Sequence, residues 1–110
     1  MAYDLKLADR VKHILGKERN VTGKKMFGGM AFLLNGNLLV CVRKDSLLVR
    51  LGPEQGAAAL EEEHVEPFLI KGRGSMKGWV VVGLDGVDTD QDLNRWIGLA
   101  VEFVRTLPVK

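Results

Sequence analysis

The sequence predicts a single α+β domain over residues 1–110, with two layers and a five-stranded antiparallel sheet, in the order α-β-β-β-α-β-β-α. Three observations lead to this fold class. Asn35 and Gly36 separate two apolar runs, and Asn-Gly strongly indicates a hairpin because both central residues of a type I′ turn need positive φ. Amphipathic helical patterns open and close the chain. The composition, 46% hydrophobic and 27% charged, is that of one globular domain.

The three predicted helices cover residues 4–16, 53–63 and 89–107. In the first and the last, apolar residues recur every three or four positions, which gives each helix one stripe to bury. Asp4 is the expected N-cap of the first helix, and Gly16 is its expected stop. Either Asp88 or Thr89 caps the last helix, and Pro108 follows its end. The second helix is short and alanine-rich.

The five predicted strands cover residues 26–34, 38–42, 47–51, 68–70 and 76–82. Residues 17–23 are expected to form a polar connector. Short turns separate the first three strands, so we expect an antiparallel meander. Gly28 and Gly29 interrupt the first strand, where glycine is costly, and they predict a β-bulge or a close approach of two backbones.

Both faces of the predicted sheet are apolar. On the second strand, Leu38, Val40 and Val42 are expected to point one way, and Leu39 and Cys41 the other. A sheet with one solvated face would alternate apolar and polar residues. We therefore expect a homodimer formed through the sheet or its edge, because an uncovered apolar face usually marks an interface. The alternative is a sheet whose own helices cover both faces.

The loop after the fourth strand carries the most suggestive binding pattern. Lys71, Arg73 and Lys77 alternate with glycines whose backbone N–H groups can face an anion, so these residues are candidates for an interaction or anion site. The loop matches neither the P-loop motif nor G-x-G-x-x-G. The alternative is an ordinary hairpin connection, because glycine commonly marks turns.

Basic residues also flank the Asn35-Gly36 hairpin. Lys24-Lys25 and Arg43-Lys44 either join the loop in a basic rim that a nucleic acid would contact, or are solvated residues that discourage aggregation at an edge strand. The formal net charge is only +2, which permits a nucleic-acid partner but is weaker than the basic excess of dedicated DNA-binding domains.

The sequence contains no recognisable catalytic or metal-binding pattern, so we expect no catalytic residues, no metal and no cofactor. Cys41 lies in an apolar run and is expected to be a buried, unreactive thiol. The acids of residues 85–92 lack the glycine and the glutamate of a calcium loop and are expected to cap a helix. Trp79 and Trp96 lie on apolar stripes and are interpreted as core residues. We predict that the chain is not an enzyme.

The cellular compartment is inferred from three features of the sequence. A single cysteine cannot form an internal disulfide, which fits a reducing compartment. The first residues do not have the pattern of a signal peptide. Apolar runs are too short to cross a bilayer. We expect a cytoplasmic location and no membrane partner.

Two motifs carry a family resemblance: Met26, Phe27, Gly28 and Gly29 open the hairpin, and Gly78 and Trp79 end an Arg…Met-Lys-Gly-Trp segment. Together with a C-terminal helix that ends in Leu-Pro, they resemble the TfoX N-terminal domain family, the TfoX/Sxy-like proteins, over almost the whole chain. The resemblance implies the element order given above and a secretion-chaperone-like fold that commonly dimerises. It also implies that members with a second, C-terminal domain regulate natural competence genes in bacteria. We do not expect that second domain here.

The expected function is therefore a cytoplasmic, non-enzymatic regulatory or protein-interaction module of TfoX-like type, acting as a transcription or competence co-regulator. Its partner is expected to be a second copy of the chain or an unidentified protein, such as part of the transcription machinery. Two alternatives stay open. One is a nucleic-acid-binding regulator, and the other is a sensor of an anion or small ligand that uses residues 72–78.

Overall fold

The computed structural model describes residues 3–26, 28–70, 72 and 74–110. Phe27, Lys71 and Arg73, which the sequence analysis named, lie outside the described residues. Within this part of the chain the helices are α1 (Leu5–Leu15), α2 (Pro53–Ala59) and α3 (Asp90–Val104). The strands are β1 (Val21–Met26), β2 (Gly29–Leu34), β3 (Asn37–Val42), β4 (Ser46–Arg50), β5 (Val65–Ile70) and β6 (Gly74–Gly83). A short 3₁₀ turn, Leu84–Gly86, leads from β6 towards α3.

The predicted α+β fold is confirmed, with six strands in the described residues rather than five. They form one antiparallel sheet in the order β1-β2-β3-β4-β6-β5. The additional strand is β1, which begins inside the predicted polar connector and takes Met26 from the predicted first strand. Its sequence shows no apolar alternation because β1 lies at the edge of the sheet and most of its side chains are exposed.

Gly28 and Gly29 lie at the β1–β2 turn and not in the middle of a strand. Gly28 has a φ of 72°, which glycine adopts without the penalty that a side chain would bring. Gly29 starts β2, and a Cβ atom at this position would overlap the carbonyl oxygen of Val42 on β3. The predicted β-bulge at this pair is therefore wrong, and the predicted close approach of two backbones is confirmed.

The Asn-Gly hairpin joins β2 to β3 as predicted. Asn35 has a φ of 53° and Gly36 a φ of 83°, the two positive values that a type I′ turn requires. The C-terminal tail packs on this turn: the Lys110 backbone N–H donates to the Asn35 carbonyl at 2.9 Å. Beside it, the Asn37 side-chain amide donates to the Pro108 carbonyl at 2.8 Å. The turn therefore also anchors the end of the chain.

Side-chain caps fix the starts of α1 and α3. The Leu7 N–H donates to Asp4 Oδ1 at 3.0 Å, and the Asp92 N–H donates to Thr89 Oγ1 at 3.1 Å. Asp4 is thus the cap that the sequence predicted, and Thr89 is the cap of α3. Both α2 and α3 end earlier than predicted, and residues 60–64 form turns that lead the chain into β5.

The three helices pack on one face of the sheet. β4 and β5 are both antiparallel to β6, which lies between them, so the β4–α2–β5 connection has to cross β6. The turn after α2 meets α3, where Glu62 pairs with Arg95. At the start of α2, a Cβ atom on Gly52 would come within 2.5 Å of the Phe103 ring on α3. The α2 segment therefore lies beside α3, on the same side of the sheet.

The main hydrophobic core lies between these helices and the sheet. Burying each of its large apolar side chains contributes roughly 1.5–3 kcal/mol, so this layer supplies most of the stability. Its buried members include Leu7, Val11 and Leu15 of α1, Leu93, Trp96, Ile97 and Val104 of α3, and Phe32, Val40, Val42, Leu47, Val49, Val80 and Val82 of the strands.

Because of a register shift between β2 and β3, some residues of β3 point to the opposite sheet face from the one that the sequence predicted. Phe32 pairs with Val40 and Leu33 with Leu38, so Leu39 is an extra residue in the ladder. Leu39 consequently joins Val40 on the helix side, and Leu38 joins Cys41 on the other side. The predicted strict alternation of this strand is wrong, because one bulged residue exchanges the faces of the residues before it.

Candidate functional site

The sheet face opposite the helices, which we call the open face, carries a second hydrophobic cluster. In the part of the chain that the structure describes, every member of this cluster lies on a strand. The expected apolar character of both faces is therefore confirmed. The alternative, in which helices cover both faces, is wrong, because α1, α2 and α3 all lie on the same face. The buried members are Ala31, Leu38, Cys41 and Leu48, and the half-buried members are Met26, Leu33, Phe68, Trp79 and Val81.

Two aromatic rings and two arginines form a row across the open face, which we call the aromatic–arginine row. Arg50 and Trp79 are cross-strand partners on β4 and β6, and Arg50 Cζ lies 4.9 Å from the centre of the Trp79 ring. The centres of the Trp79 and Phe68 rings are 6.3 Å apart, and the two ring planes are inclined at 44° to each other. Arg43 Cζ lies 6.0 Å from the centre of the Phe68 ring. Each arginine–ring pair contributes about 0.5–2 kcal/mol.

The row corrects one sequence interpretation. Trp96 is a core residue as predicted, 2% exposed, with its indole N–H donating to the Gly86 carbonyl at 3.2 Å. Trp79, by contrast, is half-buried on the open face. The sequence could not separate the two because both lie in apolar runs, and only the position of the helices decides which sheet face is covered.

The arginines of the open face differ from those near the helices in their ion pairs. Among residues 3–26, 28–70, 72 and 74–110, Arg43 and Arg50 have no carboxylate oxygen within 4.0 Å. Burial lowers the pKa of Arg50 from its usual value, because desolvation disfavours the charged form. An anion placed beside this guanidinium would favour the charged form again. The arginines of the helix side are paired as Arg10–Asp90, Arg95–Glu62 and Arg105–Glu18.

Both edges of the sheet carry residues that oppose the addition of another strand. β1 presents the exposed side chains of Lys24 and Lys25. β5 contains Pro67, which has no N–H to donate and is tolerated there because β5 is the other edge strand. Charges and proline are common devices against edge-to-edge pairing. The open face is therefore better suited than either edge to bind a partner.

Three glycines explain the second family motif. The Gly78 carbonyl accepts from the N–H groups of Leu51 at 2.7 Å and Gly52 at 3.1 Å. A Cβ atom on Gly56 would lie 2.8 Å from the Gly78 Cα, and one on Gly78, whose φ is 86°, would lie 2.9 Å from the Gly52 carbonyl carbon. The start of α2 thus rests directly on the backbone of β6. Gly78 allows this close backbone contact, and the side chain of the next residue, Trp79, lies on the open face.

The predicted anion loop is mostly part of a strand. Gly74 pairs with Ile70 and Ser75 with Leu69, so β6 begins at Gly74 and not at Met76 as the sequence predicted. Lys77 is exposed on this strand. Because Lys71 and Arg73 lie outside the described residues, the anion site of Lys71, Arg73 and Lys77 stays a prediction.

The first family motif places Met26 on the open face, where it packs at the margin of the cluster. Met26 and Gly29 are the last cross-strand pair of β1 and β2 before the turn. The Met26 carbonyl also accepts from the Cys41 thiol, with the sulfur 3.6 Å away. The motif therefore shapes the hairpin end of the open face.

Reactive groups are few on this surface. Cys41 is fully buried, and burial raises the pKa of its thiol while the nearby charge of Arg43 opposes the shift. A raised pKa keeps the thiol protonated and unreactive, as the sequence suggested. In the described ranges, no three His, Cys, Asp or Glu side chains are grouped closely enough to hold a metal ion.

Across the same ranges no helix has both the length and the apolar character needed to cross a bilayer.

Sequence reasoning missed Arg50 and Phe68 as residues of one surface, whereas it did name Lys24 and Arg43 as candidates for a basic rim. Arg50 ends β4 and Phe68 lies on β5, two strands away across the sheet. A polar residue at the end of a run such as Leu47-Leu48-Val49-Arg50 indicates that one face is not fully covered. The pairing of Arg50 with Trp79 depends on strand order, which the local pattern does not contain.

The fold and this surface define a class: a small two-layer α+β domain with helices on one side and a cationic, aromatic-bearing sheet face on the other. The model of the TfoX N-terminal domain matches residues 13–104. This chain belongs to the TfoX N-terminal domain family, as the resemblance in the sequence indicated. No curated protein matches the chain.

Proposed function

We propose that this chain is a non-enzymatic regulatory module, connected with the control of competence genes in a bacterial cytoplasm, that works by docking a macromolecular partner on its open face. The family supports the regulatory part of the proposal. The open face supports the docking part, since an apolar sheet surface without covering helices usually marks an interface. The proposed role involves no chemical step on the partner.

One observation carries this proposal. Leu33, Phe68, Trp79 and Val81 form a half-buried outer layer over an apolar cluster to which strands alone contribute. A protein that needed only stability would gain by covering such side chains, at roughly 25 cal/mol for each Å² of apolar surface removed from water. Their half-exposure is explained if a partner completes the burial.

Self-association is a second use to which this face is suited. Both sheet edges carry lysines or proline, so two copies that associate through the sheet would meet face to face rather than edge to edge. Light scattering at micromolar concentration tests this homodimer. A monomeric mass would rule it out, and a dimer that dissociates on Leu33→Gln would support it.

The regulatory proposal is tested in a naturally transformable bacterium that lacks its own TfoX-family regulator. Expression of this chain is expected to raise competence-gene transcripts and transformation frequency. Leu33→Gln, on the open face, is expected to abolish the effect. Leu99→Gln is the matched control, because Leu99 is also a half-buried leucine but packs on the helix side. Equal activity of the two folded variants, or no response to the wild-type chain, would contradict the proposal.

A further inference from the structure

We propose that the partner of the open face is a single strand of nucleic acid, with its bases stacked on Trp79 and Phe68 and its phosphates bound by Arg43, Arg50 and Lys24. This inference rests on the proposed docking function and names the class of partner. It follows from the arrangement of rings and cations on this face.

The two rings provide neighbouring stacking surfaces. Trp79 and Phe68 are half-buried on adjacent strands with their centres 6.3 Å apart. Aromatic side chains on the exposed face of a sheet are a common platform for unpaired bases, because every base has a π-face. A duplex hides those faces in its own stack, so rings placed in this way favour a single strand.

The cations next to the rings are free to bind phosphate. Within the described residues, neither Arg43 nor Arg50 has a carboxylate within 4.0 Å, whereas Arg10, Arg95 and Arg105 on the helix side are paired. The guanidinium groups of Arg50 and Arg43 lie over the two rings. A base that stacks on either ring has to displace its guanidinium, whose N–H donors then lie beside the strand and can bind its phosphates. Lys24 is exposed on the same face but is not next to the rings: its partner in the register is Ala31 of the open-face cluster, and β1 lies four strands from β6.

The charge of the sheet has one predominant sign. The described strands contain four basic residues, Lys24, Lys25, Arg50 and Lys77, against the single acid Glu66. The acids concentrate instead in the segment of α2 and in the first turn of α3. The basic strands attract a polyanion to the sheet, although α1 is also net positive, with Lys6, Arg10 and Lys12 against Asp9.

The same charges disfavour the competing occupants. In a face-to-face pair of copies, the arginines and Lys24 of both would approach each other, and like charges destabilise such an interface. Glu66 and Asp45, which line one pocket with Arg43, compensate these charges only in part. An acidic peptide would satisfy the cations but has no need of two adjacent stacking surfaces. The nucleic acid uses both features.

The test measures the binding of fluorescent oligomers of about 12 nucleotides, oligo-dT and oligo-U, by anisotropy across a salt series. Three phosphate contacts predict a slope of about −2 in log K against log salt for a single strand. The separate DNA and RNA arms show which sugar is preferred. Emission from half-buried Trp79 is expected to be quenched on binding, while buried Trp96 is shielded.

Two variants and a matched control make the test specific. Arg50→Met is expected to weaken binding and reduce the magnitude of the salt slope by about 0.7, and Trp79→Leu to weaken binding about ten-fold or more. Arg95→Met is the control, because Arg95 lies 4.3 Å from the ring of Trp96 in the same kind of pair, but near the helices. If Trp79→Leu does not fold, Lys24→Gln at an exposed position takes its place.

Several results would overturn the inference: no binding of either oligomer at low salt, equal affinity for a blunt duplex, equal loss in Arg95→Met, or binding of an acidic peptide in place of the oligomers. A stable homodimer that buries this face and excludes the oligomers would also overturn it. The proposed function would survive any of these if competence-gene transcripts still depended on Leu33, so the two failures are distinguishable.

Discussion

Replacing Gly29 by alanine is expected to unfold this domain at a distinctly lower temperature, whereas the same change at its neighbour Gly28 is expected to be mild. The added Cβ of Gly29→Ala would overlap the Val42 carbonyl oxygen and lie 3.1 Å from the Val42 carbonyl carbon and 3.2 Å from Cys41 Sγ. Backbone atoms cannot rotate away as a side chain can. β2 and β3 therefore have to separate where they pair.

The magnitude follows from the contacts that this separation breaks. A shift on the order of 1 Å takes a ladder hydrogen bond beyond its usual range of about 2.7–3.2 Å. Losing one or two such bonds costs about 0.5–1.5 kcal/mol each, and overpacking adds about 1–3 kcal/mol. Together these give a total of about 1.5–6 kcal/mol. For a domain of this size, at about 4 °C for each kcal/mol, that corresponds to a fall in Tm of about 6–24 °C.

Gly28 tests the reasoning because its environment is the opposite. A Cβ atom there meets nothing within 4 Å, but the φ of 72° is unfavourable for alanine. The expected cost of Gly28→Ala is about 1 kcal/mol, and Gly28→Asn is expected to recover part of it because asparagine tolerates this conformation. Thermal unfolding followed by circular dichroism measures all three variants. A wild-type Tm for Gly29→Ala, or a larger loss for Gly28→Ala, would refute the close approach of β2 and β3.

Three further predictions concern the core, the α2 contact and the thiol. Val40→Asp places an unpaired charge among fully buried residues, and urea unfolding is expected to show a loss of several kcal/mol, with a wild-type midpoint as the contradicting result. Gly56→Ala places a Cβ atom against the Gly78 backbone, which forces α2 away from β6 and is expected to lower Tm. Gly98→Ala in α3, whose added Cβ has nothing within 4 Å, is expected to raise Tm, because it increases the free energy of unfolding by up to about 1 kcal/mol. Burial raises the pKa of Cys41, so its contribution to stability is complete below the unfolded value of about 8.5 and is lost as the pH rises through the folded pKa. Compared with Cys41→Ala in urea titrations at several pH values, the wild type is expected to lose more stability above that value, and parallel curves would contradict this.

Local sequence determined much of the fold because its signals act over a few residues. The Asn35-Gly36 turn, the Asp4 and Thr89 caps and the apolar stripes of α1 and α3 each depend on neighbours in the chain, and the structure contains them. β1 was not predicted because an edge strand exposed on both sides has no hydrophobic period to detect. The extra residue Leu39 was missed for a related reason, since a bulge leaves no mark in the local composition.

The sequence by itself determined the fold class, the family motifs and the apolar character of both sheet faces. Only the tertiary structure decided which face the helices cover, that Trp79 lies on the open one, and that Arg50 and Arg43 meet rings from other strands. The physical reason is that strand order and crossover placement are set by the packing of the whole chain. Residues distant in sequence become neighbours only after the sheet has formed.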